Sequence, residues 1–108
     1  MSDDVLIRMP AQPHNLVLIR QVAAVMATQA EMTADIVDDA RLLADEAMTQ
    51  LITWGAHEVA LSIGAAPQRL DLVMVGIGAR HGDVNELGWT VITALASHAE
   101  ISDSDGEP

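Results

Sequence analysis

The segment Ala34–Thr53 most constrains the fold, because it has the pattern of a single long amphipathic helix. Its apolar residues recur at intervals of three and four, which places them on one side of a helix. They are Ile36, Val37, Ala40, Leu43, Ala44, Ala47, Met48 and Leu51. Thr33 is a candidate N-cap, Asp35 suits the positive helix end, and Gly55 is a candidate C-terminal cap. A chain built around this helix needs a second layer to cover its apolar side.

The polar edge of this helix has two interpretations. Its members fall close together on the side opposite the apolar residues: Asp35, Asp39, Glu46, Gln50 and Thr53. Glu46 and Gln50 are four residues apart, so their side chains are neighbours on the helix surface. The edge is either a solvated acidic face or part of a site that uses a carboxylate beside an amide.

The N-terminal part of the chain predicts a strand and a first helix. Residues 5–9 have the pattern of a short strand, which Pro10 and Pro13 end. Residues 13–30 then follow a helical pattern with one apolar face: Leu16, Ile19, Ala23, Met26, Ala27 and Ala30. Leu18, Val22 and Val25 lie on the far side of the same helix. A helix that is apolar nearly all round is either sandwiched within the core or offers its outer stripe to another chain.

The second half of the chain predicts a hairpin followed by a last helix. Residues 58–64 alternate between apolar and small or polar residues, residues 65–68 form a turn, and Arg69–Ile77 is a second strand, which we expect to be the more central one. A final helix is expected over about residues 86–98. The resulting order β-α-α-β-β-α predicts an α+β two-layer sandwich with three helices covering one face of a mixed or antiparallel sheet. Residues 1–101 then form one domain, and residues 102–108 an acidic disordered tail.

Charge and composition exclude several classes of function. The net charge is −11, with five arginines and no lysine, which argues against direct binding of nucleic acid or of an anionic membrane and is compatible with a basic partner. The absence of cysteine excludes a disulfide scaffold and a cysteine-ligated metal. The sequence has neither the pattern of a signal peptide nor an apolar run long enough to cross a membrane. We therefore expect a cytoplasmic protein.

A glycine-rich segment after the second strand of the hairpin also has two interpretations. Gly76, Gly78, Gly82 and Gly88 do not form a dinucleotide fingerprint, and no P-loop lysine exists. Glycines after a strand are common turn residues. Alternatively, free backbone N–H groups of a helix beginning near Gly88 suit an anion, and Arg80 partly offsets the nearby acidic residues. The four histidines show no metal-binding spacing.

Three segments resemble a known family. Residues 15–20 look like its first helix, residues 41–52 resemble its N-box, and residues 87–96 resemble its last glycine box and the helix that follows. The order and spacing are similar to those of the anti-sigma-factor serine kinases of the RsbW type, in the histidine-kinase-like (GHKL) ATPase superfamily. The resemblance covers about residues 14–101 and implies the GHKL fold, without the one or more further strands that follow the last helix in the family.

The resemblance also implies a nucleotide site with altered residues. Glu46 occupies the position of the general base that activates the attacking hydroxyl. Gln50 stands where the family has an asparagine that binds Mg²⁺, and Gly76 stands where it has an aspartate that contacts adenine. Gly78 matches the glycine of that motif, and Arg80 and Gly88 complete the implied ATP contacts. ATP and Mg²⁺ are thus the implied cofactors, and no other metal is expected.

The function that follows is a regulatory, anti-sigma-like binding protein of a partner-switching system, with a degenerate ATP site. Its expected partner is a sigma factor or an anti-sigma antagonist, it is expected to be a homodimer, and its contact residues are expected to be Leu18, Val22 and Val25. Two alternatives stay open: an active serine protein kinase with Glu46 as its base, and a non-enzymatic dimeric interaction domain.

Overall fold

A computed structural model describes residues 5–78 of the chain, which form three strands and two α-helices. They are β1 (Val5–Pro10), α1 (Leu16–Gln29), α2 (Ala34–Thr53), β2 (Glu58–Ala66) and β3 (Arg69–Ile77). The order of these five elements is the predicted one. The glycine-rich loop beyond Gly78, the final helix at 86–98 and the acidic tail at 102–108 lie outside the described residues.

The three described strands form an antiparallel sheet in the order β1-β2-β3. The prediction that β3 is the more central strand is therefore wrong for this part of the chain, since β2 pairs on both sides. The pairing of β1 runs from Val5 opposite Ile63 to Pro10 opposite Glu58. Alternation in β2 and β3 identifies the inner face of each strand, but it does not reveal which of the two strands β1 joins.

Both helices cover one face of this sheet and enclose the core. Ile19 of α1, Met48 of α2 and Leu61 of β2 are fully buried. The remaining buried side chains are small or aliphatic, and alanine recurs among them. Small side chains let two helices and a sheet approach closely, which suits a chain without phenylalanine or tyrosine. The predicted inner face of α1 is confirmed, with Leu16 as its only half-buried member.

The predicted bounds of α2 are confirmed together with the residues that set them. The hydroxyl oxygen of Thr33 accepts a hydrogen bond from the backbone N–H of Ile36 at 3.3 Å, which caps the helix N-terminus. Gly55 has φ +86°, a left-handed conformation that favours glycine just past a helix end. Before α1, a short 3-10 turn spans Pro13–Asn15, and the Asn15 side-chain amide donates to the Pro10 carbonyl at 2.8 Å.

The hairpin turn is tighter than the sequence predicts and is held by the helices. β2 continues to Ala66, so only Pro67 and Gln68 connect the strands. The Gln68 backbone N–H donates to the Ala30 carbonyl at 2.8 Å, and its side-chain amide donates to the Glu31 carbonyl at 2.8 Å. These two bonds fix the hairpin tip to the α1–α2 connection.

Candidate functional site

The polar edge of α2 is not uniformly exposed. Glu46 and Gln50 are both half-buried, whereas Asp35 and Thr53 on the same edge are exposed. One helical turn separates Glu46 from Gln50, about 6 Å along the axis. Asp45 lies on the neighbouring side of the helix, where its carboxylate faces Arg20 of α1. The half-buried pair therefore occupies a different part of the α2 surface from the contact with α1.

The end of β3 carries the two described glycines of the implied nucleotide site. Gly76 pairs with Val59 of β2 within the sheet. Gly78 follows the strand with φ +85°, and a Cβ atom placed on it would overlap the imidazole of His57. Gly78 thus has a structural reason to be glycine, in both its backbone conformation and its close approach to His57.

Chain direction brings Gln50 and these glycines to the same end of the fold. α2 ends at Thr53, β2 begins at that end, and β3 returns to it. The His57 backbone N–H donates to the Ile77 carbonyl at 3.0 Å, which closes this end of the hairpin. Glu46 lies one turn deeper along α2. Arg80 and Gly88, the other implied ATP contacts, are outside the described residues.

The outer surface of α1 carries the second candidate site. Leu18 and Val25 are 45% and 53% exposed, and Val17 beside them is 57% exposed. Val22 is half-buried and packs against the core. We call Val17, Leu18 and Val25 the outer stripe of α1. The sequence left two interpretations of this helix, burial within the core or contact with another chain. Burial within the core is wrong for these three side chains.

A shallow open groove lies beside the outer stripe, between the two helices. It encloses about 230 Å³ and is lined by Val17, Arg20, Gln21 and Arg41. Sequence reasoning missed this groove, although Arg20 and Gln21 are adjacent polar residues in the middle of a largely apolar helix. Two of the four arginines among residues 5–78 meet here, in a chain with a net charge of −11.

Nearby carboxylates compensate the two arginines of the groove only loosely. The Arg20 Nε atom is 3.8 Å from Asp45 Oδ1 and also donates to the Leu16 carbonyl at 3.2 Å. Arg41 is 3.4 Å from Asp38. Ion pairs of this length at a solvated surface contribute little stability. Both arginines also line the groove.

The described residues limit the kinds of site that this part of the chain can form. Within residues 5–78, no cluster of three or more His, Cys, Asp or Glu side chains could hold a metal ion. Neither described helix is long and apolar enough to cross a membrane. The features available to a function are a half-buried carboxylate, an exposed apolar stripe and a groove with two guanidinium groups.

No protein-family model matches this chain, and no curated protein is significantly similar to it in sequence.

Proposed function

We propose that this protein is a regulatory binding module of the anti-sigma type, which docks a sigma factor or an anti-sigma antagonist on the outer stripe of α1. One observation carries the proposal. Val17, Leu18 and Val25 stay exposed on a helix whose opposite face is fully buried at Ile19, Ala23 and Ala27. Apolar side chains clustered on one helix face are typical of protein contact sites.

Charge supports a protein partner with a basic surface. Six of the eight carboxylates among residues 5–78 belong to α2 or to the connection that precedes it: Glu31, Asp35, Asp38, Asp39, Asp45 and Glu46. Such a surface attracts a basic partner and steers its approach, while the outer stripe supplies apolar contact area. A regulator of transcription of this kind acts in the cytoplasm.

The proposed fold is that of the histidine-kinase-like ATPases, with a nucleotide site that has lost essential groups. Gln50 is one methylene longer than asparagine, which moves its oxygen away from the position required by octahedral Mg²⁺. Gly76 has no side chain and therefore offers no carboxylate to the adenine amino group. Because the Mg²⁺ position and the adenine position are both changed, partner binding is proposed to proceed without phosphoryl transfer.

The contact proposal is tested by recovering partners on the tagged full chain from cells of its source. We expect Leu18→Asp to lower the recovered partner at least about tenfold, because a carboxylate at the centre of an apolar contact is buried without a counter-charge. Mass spectrometry of the bound fraction measures the recovery.

The matched control is Ile36→Asp, since Ile36 is 43% exposed and Leu18 is 45% exposed. Ile36 lies in the first turn of α2, where a carboxylate suits the positive helix end, so we expect recovery within about twofold of the unaltered chain. The proposal fails if the unaltered chain recovers neither a sigma factor nor an antagonist, or if both substitutions reduce recovery equally.

The degenerate nucleotide site predicts that calorimetry detects no binding of Mg·ATP. Titration to about 1 mM nucleotide is expected to give only the heat of dilution. The expected dissociation constant lies above that concentration, which corresponds to a binding free energy weaker than about 4 kcal/mol. Saturable binding that Gln50→Ala abolishes would instead support the active serine kinase. In that case Glu46→Gln should remove phosphoryl transfer while binding persists.

A further inference from the structure

The tip of the β2–β3 hairpin contains a residue in a backbone conformation that favours glycine. Gln68 has φ +62°, and Glu31, in the α1–α2 connection, has φ +61°. These are the non-glycine residues with positive φ among residues 5–78, and they bond to each other, since the Gln68 side-chain amide donates to the Glu31 carbonyl at 2.8 Å. Glycine adopts this conformation at no steric cost. A long amide side chain at such a position indicates that the side chain itself has a role.

The bonds made by Gln68 hold the C-terminal end of α1. Its backbone N–H donates to the carbonyl of Ala30, the residue directly after the last one of the helix, at 2.8 Å. The last carbonyls of a helix have no partner within the helix, so the hairpin supplies one. The side-chain bond to Glu31 adds a second fixed point one residue further along the chain. Two hydrogen bonds, each with a preferred direction, therefore connect this end of α1 to the sheet.

The packing of α1 does little by itself to fix the rotation of the helix about its own axis. Much of the buried face consists of methyl groups, from Ala23, Ala24 and Ala27. Apolar contact has no preferred direction, and a face of methyl groups has only low ridges to lock the helix in place. Among the described residues, the side-chain hydrogen bonds of Arg20 and Thr28 stay within the helix. The directional bonds to other elements are thus concentrated at the helix ends.

We propose that Gln68 is a positioning residue for the partner contact: the hairpin tip sets the rotation of α1 and thereby determines which side chains form the outer stripe. Because it concerns the presentation of that stripe, this role rests on the proposed function. Val25, the stripe residue nearest the tip, lies five residues before Ala30, about 7.5 Å along the helix axis. A rotation that starts at the end of the helix therefore reaches the stripe.

Val22 is the residue that reports on such a rotation. Helical spacing places it on the flank of α1 between Leu18 of the outer stripe and Met26 of the buried face. It is half-buried, whereas Leu18 is exposed and Met26 is buried. A modest rotation of α1 therefore changes the exposure of Val22 before it disturbs the centre of the core.

Thiol labelling of the full chain tests the rotation, since the chain contains no cysteine and an introduced one is its only thiol. In a chain carrying Val22→Cys, Gln68→Gly is expected to raise the labelling rate about fivefold, the effect of losing one hydrogen bond. Glycine suits the left-handed turn, so this substitution removes the side-chain bond without straining the backbone. Gln68→Glu keeps the side-chain length but has no N–H to donate when ionised, and it should have the same effect.

Arg69→Gln is the matched control at the neighbouring position. The exposed Arg69 side chain bonds Asp71 and not the α1–α2 connection, so this change should leave the labelling of Val22→Cys unaltered. A second reporter, Ala56→Cys, stands at the other end of the hairpin, where Ala56 is 8% exposed, and should label at one rate in all variants. Unchanged labelling of Val22→Cys in Gln68→Gly overturns the positioning role. Equal acceleration of both reporters also overturns it, because that result indicates a general loss of stability.

Partner recovery on the tagged full chain measures the consequence for binding. Gln68→Gly should lower the recovered partner about fivefold, and Arg69→Gln should leave it within about twofold of the unaltered chain. Unchanged recovery with Gln68→Gly overturns the positioning role. The labelling is done without a partner, so a change there cannot come from direct contact between Gln68 and the partner. If the unaltered chain recovers neither a sigma factor nor an antagonist, the proposed function fails, and the labelling still decides whether the hairpin tip sets the rotation of α1.

Discussion

Replacing Leu61 by alanine is expected to cost about 3 kcal/mol of the free energy of unfolding. Leu61 is fully buried in the central strand β2, opposite Ile7 of β1 and Met74 of β3. Alanine there removes apolar contacts and leaves a cavity that the surrounding strands cannot close. Because small domains are stabilised by only about 5–15 kcal/mol, the loss is a large part of the total.

Urea denaturation followed by tryptophan fluorescence measures this effect. Leu42→Ala is the matched control, because Leu42 is 42% exposed on α2. Its apolar surface is already largely hydrated, and alanine is the better helix former, so we expect a change below about 1 kcal/mol. Equal losses for the two substitutions would contradict the position of Leu61 in the core.

Gly78→Ala is expected to destabilise the protein by about 2 kcal/mol, through two separate causes. The left-handed backbone at φ +85° penalises any residue with a Cβ by about 1 kcal/mol. The added methyl group also overlaps the His57 imidazole, with Nε2 at 2.6 Å, so the ring has to move. His57 is exposed, and this second cost is limited because the ring can rotate into solvent.

Two further variants separate these causes in denaturant titrations. Gly55→Ala meets the same backbone penalty at φ +86° with nothing within 4 Å of the new methyl group, so only about 1 kcal/mol should be lost. His57→Ala combined with Gly78→Ala should recover the difference, giving a coupling of roughly 0.5–1 kcal/mol. Absence of coupling would show that the two side chains do not compete for the same space. These effects concern folding and are independent of any nucleotide.

Local chemistry made part of the fold predictable. The bounds of α2 follow from Thr33 and Gly55, and the strand β3 follows from alternation ended by glycine. The rest of the fold could not be predicted, because it depends on contacts between residues that are far apart in the sequence. The two-residue turn depends on Gln68 bonding to the Ala30 and Glu31 carbonyls, which are nearly forty residues away in sequence. A local pattern contains no information about those partners.

The candidate sites were likewise predictable only in part. Leu18 and Val25 of the outer stripe follow from helical periodicity, as does the proximity of Glu46 to Gln50. Val17, the third residue of the stripe, was not predicted. The half-burial of Val22 could not be predicted, because it depends on the rotation of α1 about its own axis where the helix packs on the sheet. The groove between Arg20 and Arg41 did not follow either, since it depends on the spacing of two helices that the sequence alone leaves undetermined.

The pairing of β1 with β2 has a consequence for the order of folding. Arg8 and Glu58, which form an ion pair across these strands, are 50 residues apart in the chain, and both helices lie between them. Closing a flexible loop of that length costs on the order of 3 kcal/mol of chain entropy, whereas the β2–β3 hairpin closes across two residues. Hairpin and helices can therefore form early from nearby contacts, and they shorten the loop that remains. The strand that comes first in the described chain is then the last to join the sheet.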